Sequence, residues 1–123
     1  MEEVEDILAL LRRASLVGSS IEDALAGTQL TVDRWRALAY IRSSPGCSMS
    51  DVVDSLVVAS TSATRIVDSL VEIGAVFRTI SQQDRRRATL HLSSHGLALL
   101  GDVEPVIAQI CKSIPRDSFL QIS

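Results

Sequence analysis

Aromatic residues make up only 3% of the 123-residue chain: one Trp, one Tyr and two Phe. A core must therefore be built from Leu, Val, Ile and Ala, an aliphatic bias that suits helix packing. Cysteine is equally scarce. Cys47 and Cys111 lie far apart and form no C-x-x-C pair, so neither a disulfide framework nor a zinc site is indicated. Both read as ordinary buried thiols, with redox sensing as the alternative. No apolar run approaches the roughly 18 residues of a membrane span, and "MEEVEDILALLRR" opens on acids rather than on a basic leader. These absences predict a soluble, cytoplasmic chain with no membrane partner. Also missing are H-E-x-x-H, a Gly-rich phosphate loop and a nucleophile–base arrangement, so no enzyme and no cofactor are expected. His91 and His95 lack a nearby carboxylate or thiol set and read as a strand-face and a helix-start residue, not metal ligands.

What is present is a globular composition, 46% hydrophobic and 22% charged, in a length that fits one domain. The formal net charge of −3 hides a strong asymmetry. Residues 1–33 carry seven acids against Arg12 and Arg13. Residues 34–93 carry eight arginines against five acids, and residues 94–123 are slightly acidic. Local potential governs encounter, so a negatively charged partner should meet the middle.

Apolar spacing predicts a long first helix from about Glu2 to Ala26, stopped by Gly27, with Gly18-Ser19-Ser20 leaving a kink or break open. Thr31 is a plausible cap for a second helix in which Trp35, Leu38, Ala39 and Arg42 share one side, ending before Pro45-Gly46. "SMSDVVDSL" begins a short third helix with a capping box of Ser48 and Asp51 that buries Val52, Val53 and Leu56. Ser60 or Thr61 caps a fourth helix, whose apolar face is Ala63, Ile66, Val67, Leu70 and Val71 and which Gly74 closes. Two short capped helices on a tight turn form a helix-turn-helix pattern. The period then changes to two in "AVFRTI" and "ATLHLS", the strands of a hairpin. The connection from Ser81 to Arg86 holds no Gly or Pro, which excludes a two-residue primed turn and predicts a longer, open, projecting loop. Ser93 or Ser94 caps a last helix with the stripe Leu97, Leu100, Ile107, Cys111 and Ile114, more apolar than a small monomer should expose. Pro105 predicts a kink near Gly101 to Glu104.

The order is that of a winged helix-turn-helix: mainly α with a small β-hairpin (α+β), flanked by N- and C-terminal helices. Outside the apolar face of the fourth helix stand Thr61, Ser62, Thr64, Arg65, Asp68 and Ser69. Short hydroxyls can reach phosphates or base edges, and Arg65 can pair with both acceptors of a guanine. A merely solvated helix flank would carry similar residues. In the hairpin, Arg85, Arg86 and Arg87 follow Asp84. An arginine at a projecting tip can enter a narrow minor groove while its neighbours contact phosphates, and Asp84 can fix the tip. A solubilising turn is the plainer reading, yet it does not explain why a hydroxyl-rich helix should come immediately before such a tip.

With these segments in register, "LTVDRWRALAYIRSSPGCSMSDVV", "TSATRIVDSLVEIGAVFR" and "DRRRATLHLSSHG" resemble the multiple antibiotic resistance regulator (MarR) family of bacterial transcription factors over roughly Gln29 to Leu100. The resemblance implies a homodimer interlocked through residues 1–27 and 94–123. Residues 28–93 would form the winged helix-turn-helix, with the two fourth helices in successive major grooves of a pseudo-palindromic operator on double-stranded DNA. It implies that the family's Asp-x-Arg wing motif falls on Asp84 and Arg86, making Arg86 the minor-groove residue and Asp84 its positioning partner. Thr61, Ser62, Thr64 and Arg65 fall on recognition-helix positions, and Ser69, Arg85 and Arg87 complete the expected DNA-binding set. It further implies a repressor that releases DNA to a small anionic or phenolic effector, which no residue here identifies. Three departures stand out. The family's further long helix is represented only by "IPRDSFLQIS", Ser93 replaces the commoner Thr, and the first helix lacks the cysteine of the peroxide-sensing branch, so Cys47 and Cys111 inherit no such role. The competing expectation is a winged-helix module for protein interaction.

Overall fold

The computed structural model describes residues 1–115, so the further helix expected to begin in "IPRDSFLQIS" lies almost wholly outside the described residues. The elements are α1 (Glu2–Leu25), α2 (Val32–Ser43), α3 (Met49–Leu56), α4 (Ser60–Glu72), β1 (Val76–Ile80), β2 (Ala88–Leu92) and α5 (Ser94–Lys112). This is the expected mainly helical class with one antiparallel hairpin. Local chemistry explains most boundaries. Thr31 Oγ1 accepts the Arg34 N–H at 3.2 Å and starts α2. Ser48 Oγ accepts the Asp51 N–H at 3.2 Å, while Asp51 Oδ2 accepts the Ser48 N–H at 2.9 Å, closing the capping box of α3. Ser93 Oγ accepts the Gly96 N–H at 3.0 Å and starts α5. Gly27 and Gly74 take φ of +83° and +78°, the left-handed conformation that ends a helix.

The single long first helix is as expected, α1 passing through Gly18 without a break. Several other expectations are corrected. α4 has no side-chain cap: Ala59 holds the cap position and Ser60 is already helical, because only three residues separate it from α3. On α2 the core side is Ala37, Leu38 and Ile41; Trp35 and Ala39 are half-buried and Arg42 is exposed. On α5 the buried residues are Gly96, Leu100 and Val103, while Leu97 is 52% exposed. The stripe is rotated because α5 begins against the backbone of Ala75, where only a residue without a Cβ fits: a Cβ on Gly96 would lie 2.2 Å from the Ala75 carbonyl oxygen. Cys111 is exposed on the outer side of α5, not buried, whereas Cys47 is buried.

The hairpin pairs Val76 with Leu92 through Ile80 with Ala88. The α2–α3 turn adds a one-residue edge to β2, the Gly46 N–H donating to Leu90 O and the Leu90 N–H donating to Cys47 O, both at 2.9 Å. The wing is thereby fastened to the helix-turn-helix through backbone bonds. One core unites the elements: Leu25, Leu38, Ile41, Val52, Val67, Leu70, Leu90 and Leu100 are fully buried, and among the described residues no polar or charged one is buried with them. Burying each such side chain contributes roughly 1.5–3 kcal/mol, against about 0–1 kcal/mol for an exposed ion pair. Stability therefore rests on the aliphatic core, and the surface arginines act on geometry and charge. The outer side of α1 remains apolar, with Val4, Ile7, Leu8 and Leu11 each more than half exposed.

Candidate nucleic-acid interface

The N-terminal half of α4 and the tip of the hairpin carry the expected set, and the structure separates its members. Thr61, Ser62, Thr64 and Arg65 are exposed on the first turns of α4. Arg65 stands four residues after Thr61 and three after Ser62, the spacings at which helical side chains are neighbours. Thr64 Oγ1 donates to Ser60 O at 2.9 Å, which leaves its lone pairs for an incoming donor. Ser69 is different. It is partly buried near the end of α4, donating to Ile66 O at 2.6 Å and accepting from Arg34 Nε at 3.0 Å. Its hydroxyl is committed to tying α2 to α4.

The loop between β1 and β2 is long, as expected, but not open. The Ser81 N–H donates to Arg87 O at 2.9 Å and the Arg87 N–H to Asp84 O at 3.0 Å. Ser81 Oγ accepts the N–H groups of Gln83 and Asp84 at 3.2 and 3.3 Å. Asp84 Oδ1 accepts the Arg86 N–H at 3.0 Å and lies 3.8 Å from Arg86 Nε. The tip is thus folded around Asp84, and the Arg86 side chain, though its Nε is within ion-pair distance of Asp84, is 96% exposed. Arg85 lines a shallow groove of about 560 Å³ with Ile80, Ser81 and Gln82. Arg87 turns the other way, its Nη2 3.8 Å from Asp51 Oδ2 on α3.

The eight arginines of residues 34–93 do not form one basic field; the structure divides them. Arg34 donates to Gln29 O and to Ser69, and Arg36 to Leu56 O at 3.0 Å. Arg42 pairs with Glu104 of α5, and Arg78 of β1 pairs with Asp68 of α4. Neither Arg65 nor Arg85 has an ion-pair partner among the described residues. Arg65, Arg85 and Arg86 are left as the charges that project. Asp51, absent from the expected set, acts at both α3 and the wing. Its carboxyl is held below the ordinary value chiefly by the Ser48 backbone N–H, then by the Ser48 hydroxyl, with a smaller pull from Arg87. Burial and the neighbouring Asp51 carboxylate push the Cys47 thiol up, the opposite of what a reactive thiolate needs. Also unanticipated is a groove of about 300 Å³ between α2 and the end of α3, lined in part by Trp35, Arg36 and Tyr40.

Among the described residues, no helix is long and apolar enough to cross a membrane. The sequence model of the MarR family matches residues 28–87, which run from the approach to α2 through the wing tip. A protein of Thauera aromatica named for transcriptional regulation of the hcr operon is 33% identical over 70 residues, 57% of this chain. The chain spans only 42% of that relative's length. A transcriptional regulator of the MarR family from Rhodococcus sp. RHA1 superposes with a TM-score of 0.84 at 23% identity, over 97% of this chain and 88% of that one, a likeness of fold. CouR of Rhodococcus jostii RHA1 bound to p-coumaroyl-CoA superposes at 0.81 with 24% identity, over 93% of this chain and 83% of that one. CouR bound to a 23-mer DNA duplex gives 0.78 at 25% identity, over 91% and 83%. Family model and sequence relative agree over the helix-turn-helix and wing: residues 28–87 carry the MarR-family sequence pattern, in a winged-helix fold shared with a solved MarR-family structure.

Proposed function

We propose that the chain is a sequence-specific DNA-binding transcriptional regulator, not an enzyme, acting in the cytoplasm as a homodimeric repressor on a pseudo-palindromic operator. The observation that carries this reading is the division of the arginines: most are paired at the surface with groups of the protein's own other elements, while Arg65 on α4 and Arg85 and Arg86 on the wing project. On double-stranded DNA, Thr61, Ser62, Thr64 and Arg65 meet base edges and phosphates of the major groove. Arg86 enters the adjoining minor groove, with Asp84 holding its backbone and Arg85 and Arg87 beside it. Ser69 contributes from behind, through Arg34. The exposed apolar residues of α1 support dimerisation through residues 1–27 and 94–123. Binding of p-coumaroyl-CoA by CouR supports an effector for this chain, of the small anionic or phenolic class, and the groove of Trp35, Arg36 and Tyr40 suits an aromatic anion.

Selection of bound sequences from random duplexes tests the reading. The expected result is a palindromic operator, with Arg86→Ala losing affinity for it and lowering the salt slope by about one. Recovery of no palindrome by the folded protein refutes the assignment and favours an interaction module. Unchanged affinity and slope in Arg86→Ala refute the role of the wing.

A further inference from the structure

We propose that Asp51 withholds Arg87 from DNA, so that the charge the wing presents to a duplex is that of Arg85 and Arg86. This rests on the DNA-binding reading above and adds to it a residue, on a different helix, that sets how strongly the wing engages any duplex.

Three consecutive arginines would place three like charges within one turn of chain. The two carboxylates near them are not equivalent. Asp84 belongs to the loop itself and moves with whatever the tip does. Asp51 belongs to α3, and its orientation is fixed before any arginine arrives, because Oδ2 accepts the Ser48 N–H at 2.9 Å in the capping box. The same oxygen lies 3.8 Å from Arg87 Nη2. The Arg87 backbone is also pinned, its N–H on Asp84 O at 3.0 Å and its O accepting from Ser81 at 2.9 Å. A fixed backbone and a fixed carboxylate define where the guanidinium rests, half-exposed against α3, whereas the neighbouring Arg86 is 96% exposed. Arg87 can reach a phosphate only by leaving Asp51, which cannot follow it. The positive charge that meets a phosphate then leaves a bare carboxylate behind, close to the same duplex. Paired, the two groups present no net charge and release no counterion on binding. Like-charge repulsion from a fixed carboxylate also weakens engagement of the wing with arbitrary duplexes, which is one way specificity is raised.

The test measures binding of the full chain to a random-sequence duplex from about 50 to about 200 mM salt, for the wild type, Asp51→Asn and the double variant Asp51→Asn with Arg87→Gln. Asn keeps an acceptor for the Ser48 N–H, and a thermal melt of each variant verifies folding. Should Asp51→Asn fold poorly, Asp51→Gln, a neutral residue that capping boxes also use, takes its place with the same expectation. Freed from its counter-charge, Arg87 should tighten binding at low salt and steepen the salt slope by about 0.9, an extra loss of about 3.5-fold across that range. The double variant should return to the wild-type slope. An unchanged or shallower slope in Asp51→Asn overturns the proposal. So does a steep slope that persists in the double variant, because Asp51 would then act on DNA directly and not through Arg87. A wild type that binds no duplex at any salt removes the DNA-binding reading and this proposal together; wild-type binding with an unaltered Asp51→Asn slope removes this proposal alone.

Discussion

Replacing Gly96 by Ala adds one methyl group at the corner where the wing feeds into α5. An ideal Cβ there lies 2.2 Å from the Ala75 carbonyl oxygen, 3.1 Å from its carbon and 3.0 Å from Leu92 Cδ2. Comfortable carbon contacts begin near 3.5 Å, so the corner must open by roughly 1 Å. Ala75 is fully buried and cannot simply turn outward. Its carbonyl accepts the Ser93 N–H at 3.0 Å, and Ser93 in turn donates to Gly74 O at 2.5 Å and caps α5 through the Gly96 N–H. Moving the carbonyl therefore disturbs the cap as well. Helix propensity argues the other way, favouring Ala over Gly by about 1 kcal/mol. Overpacking costs about 1–3 kcal/mol and a lost cap about 1 kcal/mol, so the expected net effect is a destabilisation of about 2 kcal/mol. Urea unfolding followed by circular dichroism, at one protein concentration so that self-association is held fixed, measures it. Gly101→Ala is the control: the same substitution in the same helix, with no heavy atom within 4 Å of the added Cβ, should stabilise by up to about 1 kcal/mol. The reasoning fails if Gly96→Ala is as stable as the wild type, or if both variants move in the same direction.

Two further outcomes follow from individual residues. Val57 ends α3 with φ 57° and ψ 51° while 84% exposed, so a β-branched side chain bears left-handed strain and contributes little packing in return. Val57→Asn should raise stability by about 1 kcal/mol, read as a higher urea midpoint with unchanged slope, and a lower midpoint would show that the strain is absent. The Asp51 carboxyl, held below its ordinary value of 3.8 by the Ser48 N–H and hydroxyl, stabilises the fold in its charged form. That contribution is complete above the unfolded-state value and is lost as pH falls through the lower folded one. Melting temperatures of the wild type and Asp51→Asn should accordingly converge as the solution is acidified below 3.8, and a constant gap down to about pH 2 would refute the assignment.

Much of the architecture is legible in the sequence because its causes are local. Ser48 and Asp51 are three residues apart and announce a capping box, Gly74 announces a helix stop, and the change of period at "AVFRTI" announces a strand. Where expectation and structure differ, the cause is distant in sequence. The face of α5 is set by the close approach of Gly96 to Ala75, which no spacing within the helix encodes. The face of α2 is set by what packs on both of its sides, so Ile41 is buried while Arg42 reaches Glu104, 62 positions along the chain. The loop from Ser81 to Arg86 carries no Gly or Pro and yet is closed, because Ser81 and Asp84 supply hydrogen bonds to the turn backbone. Ser and Asp stabilise turns by that route as well as Gly does by its conformational freedom.

The same distinction governs the candidate site. Composition registers arginines but not their partners, and the partners lie on other elements: Asp68 across from Arg78, Glu104 across from Arg42, Asp51 across from Arg87. Each of these exposed pairs contributes little to stability beside the aliphatic core. Their effect is on placement. Arg78 with Asp68 joins the wing to α4, and the Gly46–Leu90–Cys47 backbone bonds join it to the α2–α3 turn, so the two surfaces proposed to meet adjacent grooves are held to the same helix-turn-helix frame. Such a frame limits the wing's reorientation as Arg86 enters a groove, which lowers the ordering cost of binding. Asp68, Asp84 and Asp51, which in a simple charge count only oppose an anionic partner, therefore decide which arginines reach it and which do not.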